Sequence, residues 1–281
     1  DWREKLAKPV PENWDQLLDL AIAFTTQDPD GNGRNDTYGM LVPGTTERGY
    51  LAWWASNYLF EAGGDIIADA GGGKYRVAID TPQSVAAVQW LRGLFCDSKV
   101  VQPGALTVNT NDAHPFFESG KAGIYHTGPY MFGRFDKSLG RDKYEVIAAP
   151  RGPAGSTVLS EGENAYLMAG SARQDAQRRL AEYLITADAQ RIGPQPSVRL
   201  PVNGTVDVGA AYNDPRWALV AEVRQKNSKP FPNLPNFQPF RQKTAEGLNA
   251  IFATCANDVP AQLGTLAGDL RDELEAQGVA A

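Results

Sequence analysis

The sequence predicts a globular α/β protein. Stretches with apolar residues three and four positions apart, which indicate helices, alternate along the chain with short apolar runs of strand length. Glycine and proline clusters separate these elements. The chain has 281 residues, of which 42% are hydrophobic, and it can therefore fill the core of one large domain or two modest ones.

Three helices are predicted in the N-terminal third of the chain from their start signals. Asn13 is a plausible N-cap because Gln16 follows three residues later and apolar residues then recur at helical spacing. A second helix is predicted over 50–61 and ends before a pair of glycines. Thr81 and Pro82 supply the N-cap and first position of a third helix.

Short extended segments lie between and after these helices. Residues 65–68 and 75–79 flank the glycine triplet 71–73 and predict a hairpin. A short helix through Phe116 ends at a glycine, and 122–126 is predicted as a buried strand.

The remainder of the chain is predicted to contain two more strands and three more helices. The strands are 144–149 and 165–169, and Ser171 is predicted to cap a long amphipathic helix. Asp214 precedes a proline that opens another helix, and leucines between 263 and 274 occupy one face of the last helix. The proline-rich passage 193–201 is predicted as a loop.

Charge and hydropathy exclude several functions. With 27 Lys and Arg against 33 Asp and Glu, the formal charge is -6, so we expect no nucleic-acid partner. No apolar run reaches the roughly 18 to 20 residues that span a bilayer, and the N-terminus has no apolar signal-peptide core. We therefore expect a soluble protein whose export signal, if any, has been removed.

The two cysteines, Cys96 and Cys255, both fall in predicted helices. They fit either one disulfide or two separate buried thiols, and two cysteines alone do not identify the redox compartment. We favour the thiols, because buried cysteine packs as a small hydrophobic side chain.

An Asp-rich loop matches the first nine positions of a calcium-binding loop. A glycine, Gly33, stands at the sixth position, where a sharp turn is needed, but the twelfth, normally a bidentate glutamate, is Gly39. The alternatives are a structural Ca²⁺ and a solvated turn, of which we favour the turn. The candidate ligand positions are Asp28, Asp30, Asn32, Arg34 and Asp36.

Several segments, in this order, resemble the extracellular solute-binding proteins of carbohydrate importers, the maltose-binding-protein-like family. Residues 11–18, Pro-Glu-Asn-Trp-Asp-Gln-Leu-Leu, look like the family's Pro-x-Thr-Trp-Asp-Glu-Leu helix start. The Asp-x-Asp-Gly-Asn-Gly loop at 28–39 and the Ala-Gly-Gly turn at 62–64 follow. The most specific segment is Phe-Glu-Ser-Gly-Lys-Ala-Gly-Ile at 117–124, which runs on to Gly-Pro-Tyr at 128–130, where the family usually has Gly-Pro-Trp.

The resemblance implies a type II periplasmic-binding-protein-like fold, with two lobes joined by a hinge that closes over the ligand. Family members begin with a strand-rich part of the first lobe, so the resemblance also implies that this part is absent here. Residues 9–157 and 206–281 would form the second lobe. Residues 158–205 would belong to the first lobe and the hinge.

The function that the resemblance implies is solute capture for an ABC importer. The protein would bind a mono- or oligosaccharide in an interlobe cleft, deliver it to permease subunits, act as a monomer, and reside in the periplasm or on the cell surface as a lipoprotein. Apart from the calcium loop, no cofactor is expected. One alternative is a non-sugar solute, a polyamine or a metal chelate, bound by the same fold.

A second alternative is a glycan-active enzyme, but the sequence gives catalysis little support. His114 and His126 are the only histidines, and no Gly-x-Ser-x-Gly, His-Glu-x-x-His or phosphate-binding glycine motif occurs. A converging pair of carboxylates, as glycosidases use, does not show in a sequence. We therefore expect a binding protein and not an enzyme.

Aromatic side chains are the first candidates for sugar contact, because a flat ring packs against the C–H face of a pyranose. Tyr130 follows a predicted strand, and the resemblance places its ring under a sugar. Trp53 and Trp54 are adjacent on a predicted helix and point about 100° apart, so one of them is expected to face the cleft. Tyr50 lies one turn earlier.

Polar side chains are expected to supply hydrogen bonds to the hydroxyls. Glu161, Glu163 and Asn164 lie where the chain would cross between lobes, and family members place ligand contacts there; an ordinary exposed loop is the alternative. Arg199 could offer a planar fork to hydroxyls, although we favour a structural salt bridge.

Overall fold

The computed structural model describes residues 1–192 and 199–281, so most of the predicted loop at 193–201 lies outside the described residues. The chain forms two compact units. Unit 1 contains Asp1–His126, Ala149–Leu159 and Lys229–Ala281, and unit 2 contains Thr127–Ala148 and Ser160–Ser228. The predicted second lobe, 9–157 with 206–281, includes 127–148 and 206–228, which belong here to unit 2. The predicted lobes, with 158–205 as the part of the first lobe, stay a prediction.

The described residues contain α-helices and short strands in alternation, with 3₁₀ turns at Glu47–Gly49, Ala105–Thr107 and Pro129–Met131. In chain order the helices are α1 Trp2–Lys5, α2 Trp14–Thr26, α3 Tyr50–Glu61, α4 Pro82–Cys96, α5 Thr110–Glu118, α6 Phe132–Ser138, α7 Gln174–Leu184, α8 Ala187–Ile192, α9 Val208–Tyr212, α10 Arg216–Lys226, α11 Gln238–Thr254 and α12 Val259–Ala276. The strands are β1 Tyr38–Leu41, β2 Ile67–Gly71, β3 Lys74–Val77, β4 Ala122–Tyr125, β5 Val158–Leu159 and β6 Ser228–Lys229.

The strands form three two-stranded sheets. In unit 1, β1 pairs in parallel with β4, with Tyr38 opposite Ala122, and β2 pairs in antiparallel with β3. The third pair is β5 with β6. The α/β class is thus confirmed, and so is the hairpin around the glycine triplet.

Two of the predicted helix starts are confirmed by a side-chain cap, those at Asn13 and Thr81. Asn13 Oδ1 accepts from the backbone N–H of Gln16 at 3.0 Å, and the Gln16 side chain accepts from the backbone N–H of Glu12 at 2.8 Å. The Thr81 side chain accepts in the same way from Ser84 at the start of α4. Helix α3 has the predicted bounds, and the leucine face of α12 is buried.

The core of unit 1 surrounds α3, which packs against α4 and α11. Ten of its twelve residues are buried, from Leu51 to Glu61 with the exception of Trp53. Helix α2 lies close to the β1–β4 pair: a Cβ added at Gly39 would lie 2.2 Å from the carbonyl oxygen of Ala21, and one at Gly123 would lie 2.2 Å from the Phe24 ring. Only glycine therefore allows this approach.

The disulfide is the first correction to the sequence analysis. Cys96 and Cys255 are bonded, with their Cα atoms 5.7 Å apart, because the C-terminal ends of α4 and α11 meet. Arg92 fixes the same junction: its guanidinium donates to the backbone carbonyls of Cys255 and Ala256 at 3.0 and 2.8 Å. The favoured reading as two thiols was wrong because it relied on local sequence, and the pairing is 159 residues apart.

Three further predictions concern short apolar runs. Residues 144–149 and 165–169 form no strand, and Tyr166, in the second run, is 80% exposed. A run of this length becomes a strand only when another strand pairs with it, and no described strand pairs with either run. The strand predicted at 122–126 ends at Tyr125, and in it only Ala122 is buried. Helix α7 begins at Gln174, so Ser171 is not its cap.

Unit 2 contains a polar cluster around Arg216 at the start of α10. Its guanidinium contacts the carboxylates of Asp136 and Asp214 at 2.7 and 2.5 Å and lies 4.5 Å from the centroid of the Phe132 ring. Tyr144 donates to Asp136 at 2.5 Å. Across the described parts of both units, no helix is sufficiently long and apolar to cross a membrane.

Candidate functional site

Two of the predicted aromatic residues come together on α3 in unit 1. The rings of Tyr50 and Trp53, one helical turn apart, have centroids 5.2 Å from each other and are tilted by 44°, and both residues are half-buried. The start of this helix is fixed from outside, because Arg241 donates to the carbonyl oxygen of Arg48 at 2.7 Å. Gly49 has a φ of +71°, and a Cβ there would meet Arg241 at 2.8 Å.

Trp54 is not available to a ligand. It has no exposed surface and packs in the core of unit 1 with its ring 4.8 Å from that of Tyr58. The prediction that the two tryptophans face different ways is correct, and Trp53 is the one that remains a candidate. This correction follows from the helical rotation of about 100° between neighbours, since only one of the two can face the core.

Tyr130 lies in unit 2, in the 3₁₀ turn Pro129–Met131 that follows the β4 segment. It is half-buried, and its hydroxyl lies 3.1 Å from the Thr127 hydroxyl. The ring passes over the backbone of Gly128, where a Cβ would stand 2.4 Å from the ring carbon Cε1. Glycine at 128 is therefore needed for the ring to take this position.

The predicted polar candidates also belong to unit 2. Glu161, Glu163 and Asn164 are all exposed and lie outside helices and strands. Arg199 forms an ion pair with Glu163 at 2.5 Å, so the favoured salt bridge is present, and Tyr212 donates to the Arg199 carbonyl. The structure thus brings Arg199 and Glu163 together. That either of them contacts a ligand stays a prediction.

The Asp-rich loop is organised by hydrogen bonds among its own residues. The Asn32 amide donates to the carboxylates of Asp30 and Asp36 at 2.8 and 3.1 Å, and Asp28 accepts from the backbone of Gly33 at 2.9 Å. Lys121 pairs with Asp36 at 2.7 Å and lowers the pKa of that carboxyl group.

No group of three or more His, Cys, Asp or Glu side chains placed to hold a metal ion occurs among residues 1–192 and 199–281. In the loop itself, Arg34 is exposed, and the Gly39 position cannot carry the missing glutamate because it packs against α2. Calcium binding at this loop stays a prediction.

One buried ionisable group escaped the sequence analysis. Glu61, the last residue of α3, is 1% exposed, and its Oε2 accepts from the indole N–H of Trp14 at 2.6 Å. Its Oε1 has no hydrogen-bond partner among the described residues. Burial raises the pKa of Glu61 to about 8. The available signal was a single carboxylate at the end of a helix that has no other charged residue.

A histidine lies near the same helix. The ring of His126 packs edge-on against Tyr58, with centroids 5.6 Å apart. Burial lowers the pKa of His126 to about 4, so the imidazole is neutral at pH 7. Glu61 contacts Trp14 and His126 contacts Tyr58, and both of these rings belong to the core of unit 1.

The fold is of the type II periplasmic-binding-protein class, and the aromatic rings described above are its candidate ligand contacts. The chain belongs to the bacterial extracellular solute-binding protein family, whose model matches residues 2–191. Both the predicted fold class and the predicted family are confirmed.

Individual relatives agree with this membership. YtcQ of Bacillus subtilis, a polygalacturonan/rhamnogalacturonan-binding protein, is 28% identical over 162 residues, which is 55% of this chain and 30% of YtcQ. The matches span less than half the length of the curated relatives.

Solved structures share the fold at lower identity. The GacH receptor of Streptomyces glaucescens, solved without ligand and with acarbose, superimposes with a TM-score of 0.76 at 20% identity, covering 100% of this chain and 68% of GacH. Maltose-bound MalE3 of T. maritima gives a TM-score of 0.72 at 23% identity, over 98% of this chain and 68% of MalE3.

Proposed function

We propose that this chain binds a mono- or oligosaccharide as the solute-binding component of an ABC importer and hands it to the permease unchanged. The observation that carries the proposal is the pair of half-buried rings, Tyr50 and Trp53, on the first turn of α3. Such rings combine a flat apolar face with a polar edge. Sugars have the complementary character, with C–H groups on one face and hydroxyls around the rim.

The energy required is modest. Micromolar binding corresponds to about -8 kcal/mol. Net hydrogen bonds contribute about 1 kcal/mol each, so a stacked ring and several such bonds reach this value without any buried ion pair. Tyr130 is the proposed second stacking ring, and Glu161, Glu163, Asn164 and Arg199 are the proposed polar contacts.

The names of relatives support the sugar as ligand class. GacH was solved with acarbose and MalE3 with maltose, and YtcQ is named for pectic polysaccharides. These proteins differ in the length and charge of what they bind, so the proposal extends to carbohydrate as a class. The family consists of solute-binding proteins, which supports release of the ligand without catalysis.

An extracytoplasmic location follows from the family, and we propose the periplasm or a lipid-anchored position on the cell surface. The Cys96–Cys255 bond supports an oxidising compartment, because structural disulfides are rare in the cytosol. The proposed partners are the permease subunits, and the protein is proposed to act as a monomer.

The test is a thermal-shift screen of the protein against maltose, maltotriose, tagatose and oligogalacturonides, with spermidine as the non-sugar comparison. At a ligand concentration of 100 times Kd, binding stabilises the folded state by about 2.7 kcal/mol, which is readily measured. A shift with at least one sugar and none with spermidine is the expected outcome. If no sugar shifts the thermal midpoint and spermidine does, the proposal of a carbohydrate ligand is wrong and a polyamine is favoured.

Point variants locate the contact. We expect Trp53→Ala and Tyr130→Ala each to weaken binding of the responding sugar by about 1 to 3 kcal/mol, judged by aromatic stacking on other flat ligands. Tyr166→Ala is the matched control, because Tyr166 is 80% exposed in unit 2 and no role is proposed for it. If a variant binds like the wild type by calorimetry, its ring does not contact the sugar.

A further inference from the structure

The C-terminal half of α3 contacts every segment by which the chain passes between the two units. The chain leaves unit 1 after His126, returns at Ala149, leaves again after Leu159 and returns at Lys229. All four segments reach α3 inside unit 1, within a few residues of these points.

Aromatic and backbone contacts hold the first two segments. The ring of His126 lies edge-on against Tyr58 of α3, at 5.6 Å between centroids. In the segment that begins at Ala149, the backbone N–H of Ala154 donates to the carbonyl oxygen of Glu61 at 2.8 Å. Both segments therefore contact the last turn of α3.

A buried side chain of α3, Asn57, hydrogen-bonds the third segment. Asn57, 4% exposed, accepts from the backbone N–H of Leu159 at 2.9 Å through its Oδ1. Its amide nitrogen donates to the carbonyl oxygens of Trp54 at 3.0 Å and Trp53 at 3.4 Å. One side chain therefore bridges the backbone of the candidate stacking residue and the segment that leaves unit 1.

The fourth segment is held by a partly buried cation. The Lys229 ammonium lies 2.7 Å from the Asp65 carboxylate and 3.9 Å from the centroid of the Phe60 ring. Burial raises the pKa of the largely enclosed Asp65 carboxyl group, and the Lys229 ammonium partly offsets this by favouring the charged form. The ring adds a cation–π contact to the same anchor.

We infer that α3 is the common anchor of the interunit segments, and that Asn57 is a positioning residue that links the ring-bearing first turn of α3 to the segment leaving at Leu159. The helix is rigid over the distance involved, since Trp53 and Asn57 lie one turn, about 6 Å, apart. A displacement of the first turn is therefore passed to the anchored segments. The part of this inference that concerns sugar rests on the proposed function, whereas the anchoring itself does not.

The test compares Asn57→Leu with Ser56→Ala in the protein without sugar. Leucine has the branched shape of asparagine, with a larger volume, but cannot accept from Leu159. Ser56 is the matched control, because it is the neighbouring buried polar residue of α3 and its hydroxyl bonds only within the helix, to the Ala52 carbonyl at 2.6 Å. We expect the amide of Leu159 to exchange its hydrogen about tenfold faster in Asn57→Leu and at an unchanged rate in Ser56→Ala.

A second readout distinguishes anchoring from general stability. Spin labels are attached to Gln89→Cys on α4 and Glu182→Cys on α7, both exposed, and the disulfide leaves no other thiol in the chain. Asn57→Leu should broaden the distance distribution between the labels at a temperature where both variants are folded. Lys229→Met keeps an unbranched side chain over Phe60 and removes the charge, and it should broaden the same distance distribution. If Asn57→Leu does not fold, this second variant tests whether α3 anchors the interunit segments.

Unchanged exchange at Leu159 and an unchanged distribution in a folded Asn57→Leu would overturn the inference. Equal broadening in Ser56→Ala would also overturn it, because the effect would then come from α3 stability in general. Neither measurement contains sugar, so a protein that fails every sugar screen can still support the anchoring. If the protein binds sugar but Asn57→Leu changes neither the exchange rate of the Leu159 amide nor the distance distribution between the labels, the proposed function stands and the anchoring inference is wrong.

Discussion

The buried carboxyl group of Glu61 makes the stability of unit 1 depend on pH. In the unfolded chain this group ionises near the ordinary value of 4.5, whereas burial raises its pKa to about 8 in the folded protein. Between these values the folded state holds a proton that the unfolded state has released, so the free energy of unfolding falls as pH rises. The stabilisation is fully present below pH 4.5 and is lost by about pH 8.

The magnitude follows from the size of the shift. One pKa unit corresponds to about 1.4 kcal/mol, so ionising Glu61 inside the folded protein costs on the order of 5 kcal/mol. At pH 7 the substitution Glu61→Gln should therefore raise the free energy of unfolding by about 3 kcal/mol, and near pH 4.5 it should have little effect. Glutamine can still accept from the Trp14 indole, so the two proteins differ in the ionisable group and not in this hydrogen bond.

His126 opposes this trend at lower pH. Its pKa falls from the ordinary 6.5 to about 4 on folding, so between these values the unfolded state binds the extra proton and stability rises with pH. The two slopes offset each other between about pH 4.5 and 6.5. Of the two groups, only Glu61 titrates between pH 6.5 and 8, where the wild type should lose about 2 kcal/mol.

The assay is urea unfolding followed by tryptophan fluorescence at half-unit pH intervals from 4.5 to 8. The difference between the wild-type and Glu61→Gln curves isolates Glu61 from every other titrating group. Glu246→Gln is the control, because Glu246 is exposed on α11 and accepts from Gln242 within the same helix. A difference curve that is flat with pH would refute the buried, protonated carboxyl group.

Two further predictions concern covalent and steric constraints in unit 1. Replacing both Cys96 and Cys255 by serine should lower the free energy of unfolding by about 5 kcal/mol, because the bond closes a loop of 159 residues; equal urea midpoints for the variant and the oxidised wild type would contradict this. Gly39→Ala should cost about 3 kcal/mol or more, since its Cβ would meet the Ala21 carbonyl at 2.2 Å. Gly133→Ala, where a Cβ meets nothing within 4 Å, should leave the thermal midpoint equal or higher, and similar losses for both variants would show that packing at 39 is not the cause.

Elements with a signal inside their own few residues could be predicted from sequence. The Asn13 side chain caps α2 through Gln16, the Thr81–Pro82 pair opens α4, and the glycine triplet makes the hairpin, because each depends on residues that are neighbours in the chain. The family could be predicted for a similar reason, as its motifs are short and contiguous.

Features that depend on distant partners could not be predicted. The runs 144–149 and 165–169 have the composition of strands, but only a neighbouring strand makes them so. The Cys96–Cys255 bond, the enclosure of Glu61 by Trp14, and the choice of Trp53 over Trp54 all depend on which helices meet. For the candidate site, sequence therefore supplied residue types, and the packing of α3 decided which of them could reach a ligand.

With ligand binding at Tyr50 and Trp53 as proposed, the nearly complete enclosure of α3 limits where ligand preference can change. A substitution in its last two turns disturbs the core or a connecting segment, whereas Tyr50 and Trp53 keep part of their surface outside. Laboratory evolution toward a new analyte should therefore accumulate changes at these two positions and leave the remainder of the helix intact. A biosensor library built on this scaffold would be randomised at 50 and 53 first.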